Sequence, residues 1–227
     1  MPRDTLTADQ IVRAAIDLLD RDGLDGLNMR RLGQRLGSAA TAIYWHIKTK
    51  DDLVRLAGDA IWDEVQLPDF DTTDWRAAAT AMAAGLNDML ARHPWFVQAF
   101  GSHLLYGPGK ARYDDHSLAV YEKAGFAPAD ADRAAGTVLI FVLGNTLGPA
   151  AQVSLTRRLG KDGADAEQVL ADTTARATKI ATQFPRLRER IHTPGADYAA
   201  APESTFQFGL KAILDGFETL LATRAGS

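Results

Sequence analysis

The sequence predicts an all-α protein: an N-terminal three-helix domain of helix-turn-helix type, a connecting helix, and a larger helical body. Three observations carry this. Apolar residues recur at one-turn spacing along most of the chain, and no segment alternates as a strand does. The stretch from Asn28 to Lys50, NMRRLGQRLGSAATAIYWHIKTK, holds two short helical patterns broken at Gly37-Ser38, the layout of a helix-turn-helix. Between Asp25 and Asp51 stand Arg30, Arg31, Arg35, Lys48 and Lys50 and no carboxylate, so this pair of helices forms a basic patch.

In chain order, Thr7 with Gln10 three residues later reads as a capping box opening the first helix. Ile11, Ala14, Ala15, Leu18 and Leu19 form its apolar stripe, and Gly23 ends it. Asn28 caps a helix from Met29 to Leu36, with Gly37 placed for a left-handed terminus. A second short helix spans Ala39 to His46. Thr49 with Asp52 forms another capping box, so a fourth helix is expected from Lys50 to about Val65. Pro68 and the polar segment after it stop that helix, which divides the chain into residues 1–67 and 68–227.

Beyond the boundary, helices are expected from Trp75 to His93, then through Trp95, Phe96, Phe100 and Leu104, and from Ala111 to Ala124, with LYGPGK as a loop. An apolar helix follows from Asp130 to about Leu155, where Gly136, Gly144 and Gly148 share a face and Pro149 is expected to kink it. Residues 160–165 read as a turn, Ala166 to Phe184 as a polar-faced helix, and His192 to Pro202 as a loop. The last helix, Glu203 to Thr223, carries Phe206, Leu210, Ile213, Leu214, Phe217, Leu220 and Leu221 on one broad apolar face.

Composition narrows the class. The chain has 227 residues, 46% hydrophobic, 24% charged and a net charge of -4, the profile of an ordinary globular protein. Residues 1–56 hold nine Lys/Arg against eight Asp/Glu, and the remainder sixteen against twenty-one. An acidic body behind a basic end favours docking of nucleic acid through that end alone. There are no cysteines, hence no disulfides and no thiolate metal site. No signal-peptide core and no apolar run near the length of about 18 that spans a membrane is evident, so a cytoplasmic protein without a membrane partner is expected. No G-x-S-x-G elbow, P-loop or G-x-G-x-x-G is present, which speaks against an enzyme. His93, His103, His116 and His192 lack metal-ligand spacing, so no metal and no cofactor are expected.

The helix IVRAAIDLLDRDG, the pair GLNMRRLGQRLG, the segment TAIYWHIKTKDDL and Lys50 at the next helix start resemble the DNA-binding domain of the tetracycline-repressor (TetR) family of bacterial transcription regulators. The resemblance is strong over roughly the first 65 residues. It implies a homodimer binding double-stranded operator DNA of pseudo-palindromic sequence, with a helical ligand-binding and dimerisation domain behind. By motif position it makes Arg30 a base reader, since Arg can bond guanine bidentately. It places Ala40, Thr41 and Ala42 facing bases, and Tyr44, His46 and Lys50 on phosphates, beside Asn28 and Arg31. Ile43 and Trp45 are expected in the core. The tetracycline repressors carry a longer polar side chain and a proline where Ala40 and Thr41 stand, so the operator differs.

The resemblance also implies a small-molecule effector bound among the body helices. Trp62, Phe100, His103, Tyr113, His116, Phe141 and Asn145 are the expected lining, apolar with few polar handles. Phe100 falls near the metal-ligating histidine of the tetracycline repressors, and a phenylalanine cannot hold magnesium. The expected function is a ligand-released repressor. The alternative is a DNA-binding dimer that answers to a protein partner or to nothing, whose body would have no ligand-sized cavity.

Overall fold

The computed structural model describes residues 6–69, 71–161, 165–191 and 203–225; the expected loop from His192 to Pro202, and residues 162–164 of the expected turn, lie outside them. Among the described residues every regular element is helical.

Helix α1 (Ala8–Gly26) opens with the expected reciprocal cap: the Thr7 hydroxyl accepts the Gln10 N–H at 3.2 Å, and the Gln10 side chain accepts the Thr7 N–H at 2.9 Å. Gly23, at φ 71°, breaks the helix, yet the chain stays helical to Gly26. Helices α2 (Met29–Arg35) and α3 (Ala40–His46) follow, and the turn between them needs two glycines. Gly37 sits at φ 61°, where L side chains are strained, and a Cβ on buried Gly33 would lie 2.7 Å from the Ser38 carbonyl oxygen. Leu32, Ile43 and Leu53, all at 0% exposure, close the core of this domain with α1.

Helix α4 (Lys50–Ala60) does not continue as an α-helix to Val65 but tightens into a 3₁₀ turn, Ile61–Glu64, as helix ends commonly do. Its far end is tied to the body. The Asp59 carboxylate accepts the N–H groups of Gly109 and Lys110 at 3.1 and 3.0 Å, so helix α7 (Pro108–Lys123) starts three residues earlier than its own sequence suggests. That cap comes from fifty residues away, which is why no local signal marks it. Gly109 is required there, because a Cβ would collide with the Asp59 carbonyl oxygen.

The body is built on α8 (Pro128–Lys161), which packs against α5 (Trp75–Arg92), α6 (Pro94–Phe100), α7 and α11 (Glu203–Ala225). It runs on through Pro149 and six residues past the expected end at Leu155. Val138, Val142, Thr146 and Ala150 face inward along it, while Ile140 and Leu147 are 70% and 57% exposed and Gly136 and Gly144 meet nothing. Its length and its mean hydropathy of 1.5 would suit a membrane span, which corrects the expectation that no such segment exists; only 22% of that window is buried in this chain. Helix α9 (Ala166–Ala181) touches α8 only lightly, and it and the short α10 (Pro185–Arg188) are mostly exposed.

The broad apolar face of α11 is largely used within the chain. Leu210 and Leu214 are 4% and 1% exposed, and Phe217 meets Tyr121 and Phe126 edge-on at 5.8 Å each. Phe208 and Leu220 point outward at 78% and 54% exposure.

Gly33→Ala should retain the helical circular-dichroism signal yet lower stability by about 1–3 kcal/mol, the usual cost of forcing a methyl into a packed site. Urea denaturation reads this directly; an unchanged midpoint would mean that the α2–α3 crossing is looser than the structure shows.

Candidate nucleic-acid interface and the groove behind it

The basic patch is less uniform than its sequence suggests. Arg31 donates to the Asp22 carboxylate at 2.8 Å and to the Gly26 carbonyl at 3.2 Å, clasping α2 to the end of α1. Arg35 pairs with Asp17 at 2.5 Å. Arg30 is exposed and has no ion pair among the described residues, so its guanidinium is the free one of the three. The Asn28 side-chain oxygen accepts the Arg31 N–H at 2.9 Å, so it caps α2 as well as standing near the patch. The Lys50 ammonium donates to the Leu24 carbonyl at 2.8 Å, pinning the start of α4 to the end of α1 while staying exposed.

On α3, only Ile43 is buried; Thr41, Tyr44, Trp45 and His46 are exposed, and Ala40 and Ala42 are half-buried. Trp45 is 82% exposed, which overturns its expected core position. The reason is angular: Ile43 and Ile47, four residues apart, take the inward side, and a residue two positions from Ile43 points about 200° away from it. The outward face is thus two small side chains and a threonine followed by Tyr44, Trp45 and His46. A helix of that shape lets its first turn approach base edges closely while its last turn spreads donors over phosphates.

Among the described residues, the seven expected around an effector take different surroundings. Trp62 is 2% exposed and packs against Phe96 and Tyr113, at 5.9 and 4.9 Å between ring centroids, with the Lys110 ammonium 5.1 Å from its ring. This is filled core; burial also pushes the Tyr113 phenol well above its ordinary pKa, so it stays neutral. Phe100 is 42% exposed against Phe96, and His103 lies 3.5 Å from Asp51 at the start of α4. The His116 ring donates to the Pro68 carbonyl at 2.7 Å, and Phe141 stacks on Phe206.

Asn145, one of the seven, lines a hollow among the described residues. It stands in a groove of about 410 Å³ between α5, α8 and α11, open to solvent, with Asn87, Thr146, Pro149, Phe206 and Gln207. The Asn145 and Asn87 amides face each other at 3.5 Å. A second hollow of about 380 Å³ continues past the shared residues Ala84, Phe206 and Gln207 toward Arg76 and Leu214. The polar pair Asn145-Thr146 inside an otherwise apolar helix was the one sequence signal for this groove; its other wall comes from α5 and α11, far away in sequence.

An all-α chain with a free arginine and a polar-tipped helix at its basic end, and a grooved body behind, is a DNA-binding transcription regulator. Two family models match it: bacterial regulatory proteins of the tetR family over residues 11–57, and the tetracyclin repressor-like C-terminal domain over residues 67–221. The chain belongs to the TetR family. It is 41% identical over 140 residues to an HTH-type transcriptional regulator of Saccharopolyspora erythraea, a match spanning 62% of this chain and 59% of that protein. It is 32% identical over 240 residues to the HTH-type transcriptional repressor DrrR1 of Streptomyces coeruleorubidus, spanning 99% and 82%. Among solved structures it resembles Streptomyces coelicolor ActR in complex with actinorhodin, with 25% identity, a TM-score of 0.74, and coverage of 95% of this chain and 96% of ActR.

Because Trp62 and Trp95 are 2% and 0% exposed, Trp75 is partly buried and Trp45 is 82% exposed, iodide should quench Trp45 most of the four tryptophans. Operator DNA should protect that fluorescence, and Trp45→Phe should remove the protected component. Undiminished quenching in the DNA complex would place α3 away from the interface.

Proposed function

We propose that this chain, a ligand-responsive DNA-binding repressor by family, works in the cytoplasm as a homodimer that holds a pseudo-palindromic operator and lets go when a small molecule fills the groove beside Asn145. The observation that carries the ligand-responsive reading is the groove itself, whose volume of about 410 Å³ falls in the range of small-molecule sites. It also favours an effector over a constitutive or protein-regulated dimer. The lining of that hollow includes no Lys or Arg and one carboxylate, Asp88, so an uncharged or cationic ring system with oxygen or nitrogen acceptors fits. ActR, solved in complex with actinorhodin, supports a small molecule as the occupant. No catalytic role is assigned to the body.

Arg30, Thr41, Ala40 and Ala42 read bases in this proposal, and Tyr44, His46, Trp45 and Lys50 hold phosphates. Arg31 and Asn28 position α2. Lys50→Ala should weaken binding to operator and random duplex about equally and flatten the salt dependence by about one phosphate. Arg30→Ala should instead relax discrimination at one base pair, by about 1–3 kcal/mol. Electrophoretic mobility shifts on a set of single-base operator variants separate the two; equal losses on every duplex for Arg30→Ala would remove it as a base reader. A hundredfold release by the effector needs a preference of about 2.7 kcal/mol for the released state, ordinary for allosteric coupling.

The two-fold contact runs over the outward faces of α8 and α11: Ile140, Gly144 and Leu147 on one, Phe208 and Leu220 on the other. A lone chain would leave these in water, and a second copy covers them better than a membrane would, since α8 is already flanked by soluble helices. Leu147→Glu combined with Phe208→Glu should yield a folded monomer by sedimentation and circular dichroism. Leu210 and Phe217 are the wrong positions for that test, because they hold α11 to its own chain. A persistent dimer would move the interface elsewhere.

A further inference from the structure

His93, between α5 and α6, is 5% exposed and has a carboxylate on each ring nitrogen: Asp20 of α1 is 2.7 Å from Nδ1, and Glu64 of the 3₁₀ turn is 2.9 Å from Nε2. An ionised carboxylate only accepts hydrogen bonds, so both contacts require the ring to donate twice, as an imidazolium. The surrounding charges agree. Arg92 of α5 reaches Glu64 at 2.8 Å, the Trp95 indole N–H of α6 donates to Asp20 at 2.7 Å, and the Arg157 guanidinium of α8 donates to the Asp20 backbone carbonyl. Among the described residues, no cation other than His93 pairs with the Asp20 carboxylate.

The wall of the 410 Å³ groove includes Leu90, Ala91 and Pro94, the turn on which His93 sits. We propose that His93 is the positioning residue through which movement in the groove reaches the DNA-binding domain: an imidazolium clamp that holds α1 and the end of α4 to the body at once. This rests on the groove being the effector site. An occupant that shifts the α5–α6 junction moves both carboxylates together, and with them the frame that carries α2 and α3. Burial by itself would lower the pKa of His93, but the hydrogen bonds it donates to Asp20 and Glu64, with their negative charges, together outweigh it and the net shift is upward from 6.5. The clamp is therefore complete below that ordinary value and is lost as pH rises through the raised one. Above it one carboxylate faces a ring lone pair, and the DNA-binding domain loosens.

The test uses the full-length protein and an operator duplex selected in vitro. Nitrogen-correlated NMR of the imidazoles should show His93 protonated on both nitrogens above pH 6.5. Operator affinity of the free protein should fall at least about fivefold, the low end of allosteric coupling, as the pH rises through the His93 titration, and His93→Gln should flatten that profile. Ala91→Trp, at an exposed position on the groove wall, stands in for an occupant: it should weaken operator binding in the wild-type background and have little further effect in His93→Gln. If His93→Gln fails to fold, Asp20→Asn removes the same link from the α1 side. A His93 titrating at or below 6.5, or a pH profile unchanged in His93→Gln, overturns the clamp. Equal weakening by Ala91→Trp in both backgrounds overturns it while leaving the groove as the effector site; no weakening in either overturns both.

Discussion

The connecting helix α4 is buried on both flanks, and this constrains everything else in the chain. Leu53 and Val54 pack toward α1, while Ala57, Gly58, Ile61 and Trp62 pack toward the body, all of them buried. A Cβ on Gly58 would stand 3.1 Å from a Leu105 methyl carbon, so even the backbone is in close contact. Burying an indole or isoleucine side chain contributes about 1.5–3 kcal/mol, and the α4 flanks hold several such residues. A helix seated so firmly cannot flex as a linker. It can move only as a lever together with what it touches, which is α1 at one end and α6 and the α7 N-terminus toward the other.

The electrostatics of the basic end follow the same logic of position. Arg31 and Arg35 hold α2 to α1 through Asp22 and Asp17, and Lys50 holds α4 to the Leu24 carbonyl. These exposed contacts are individually weak, about 0–1 kcal/mol. Their effect is orientation: they fix the frame on which Arg30 is left without a partner. A cation already in a pair must give up that partner to meet a phosphate, whereas Arg30 has no ion pair among the described residues to give up.

What could be read from the sequence was whatever depends on neighbours a few residues away. The Thr7 capping box, the Asn28 cap and the left-handed Gly37 all use partners within four residues, and the structure has each of them. The start of α7 was missed because its cap, Asp59, comes from another helix. Trp45 was misplaced because an aromatic in a short apolar pattern reads as core, while Ile43 of α3 and Ile47 just after it already fill the inward side. The candidate effector residues were chosen on a related kind of signal. Aromatic identity marks burial, and Trp62 and Tyr113 are indeed buried, but in packed core. A hollow is made where side chains stop short, at Ala84 and Asn87 of α5 and Asn145 of α8, and beyond the polar pair Asn145-Thr146 the meeting of these distant helices leaves no mark in sequence.

The apolar stripe of α11 shows how one pattern can serve two surfaces. Seven apolar residues at helical spacing span more of the helix circumference than one neighbour can cover. The structure divides them: Leu210, Leu214 and Phe217 turn into the chain's own body, and Leu220, with Phe208 beyond the stripe, turns out. Helix α8 is divided in the same way, with Val138 and Val142 inward and Ile140 and Leu147 outward. The groove beside Asn145 lies between these helices and α5, so its walls are the inward sides of the elements whose outward sides are left uncovered. A change in how the outward faces meet a second copy would therefore alter the groove, and an occupant of the groove would alter that meeting. In the proposed dimer, oligomerisation and ligand response share the same helices, so neither can be tuned without the other.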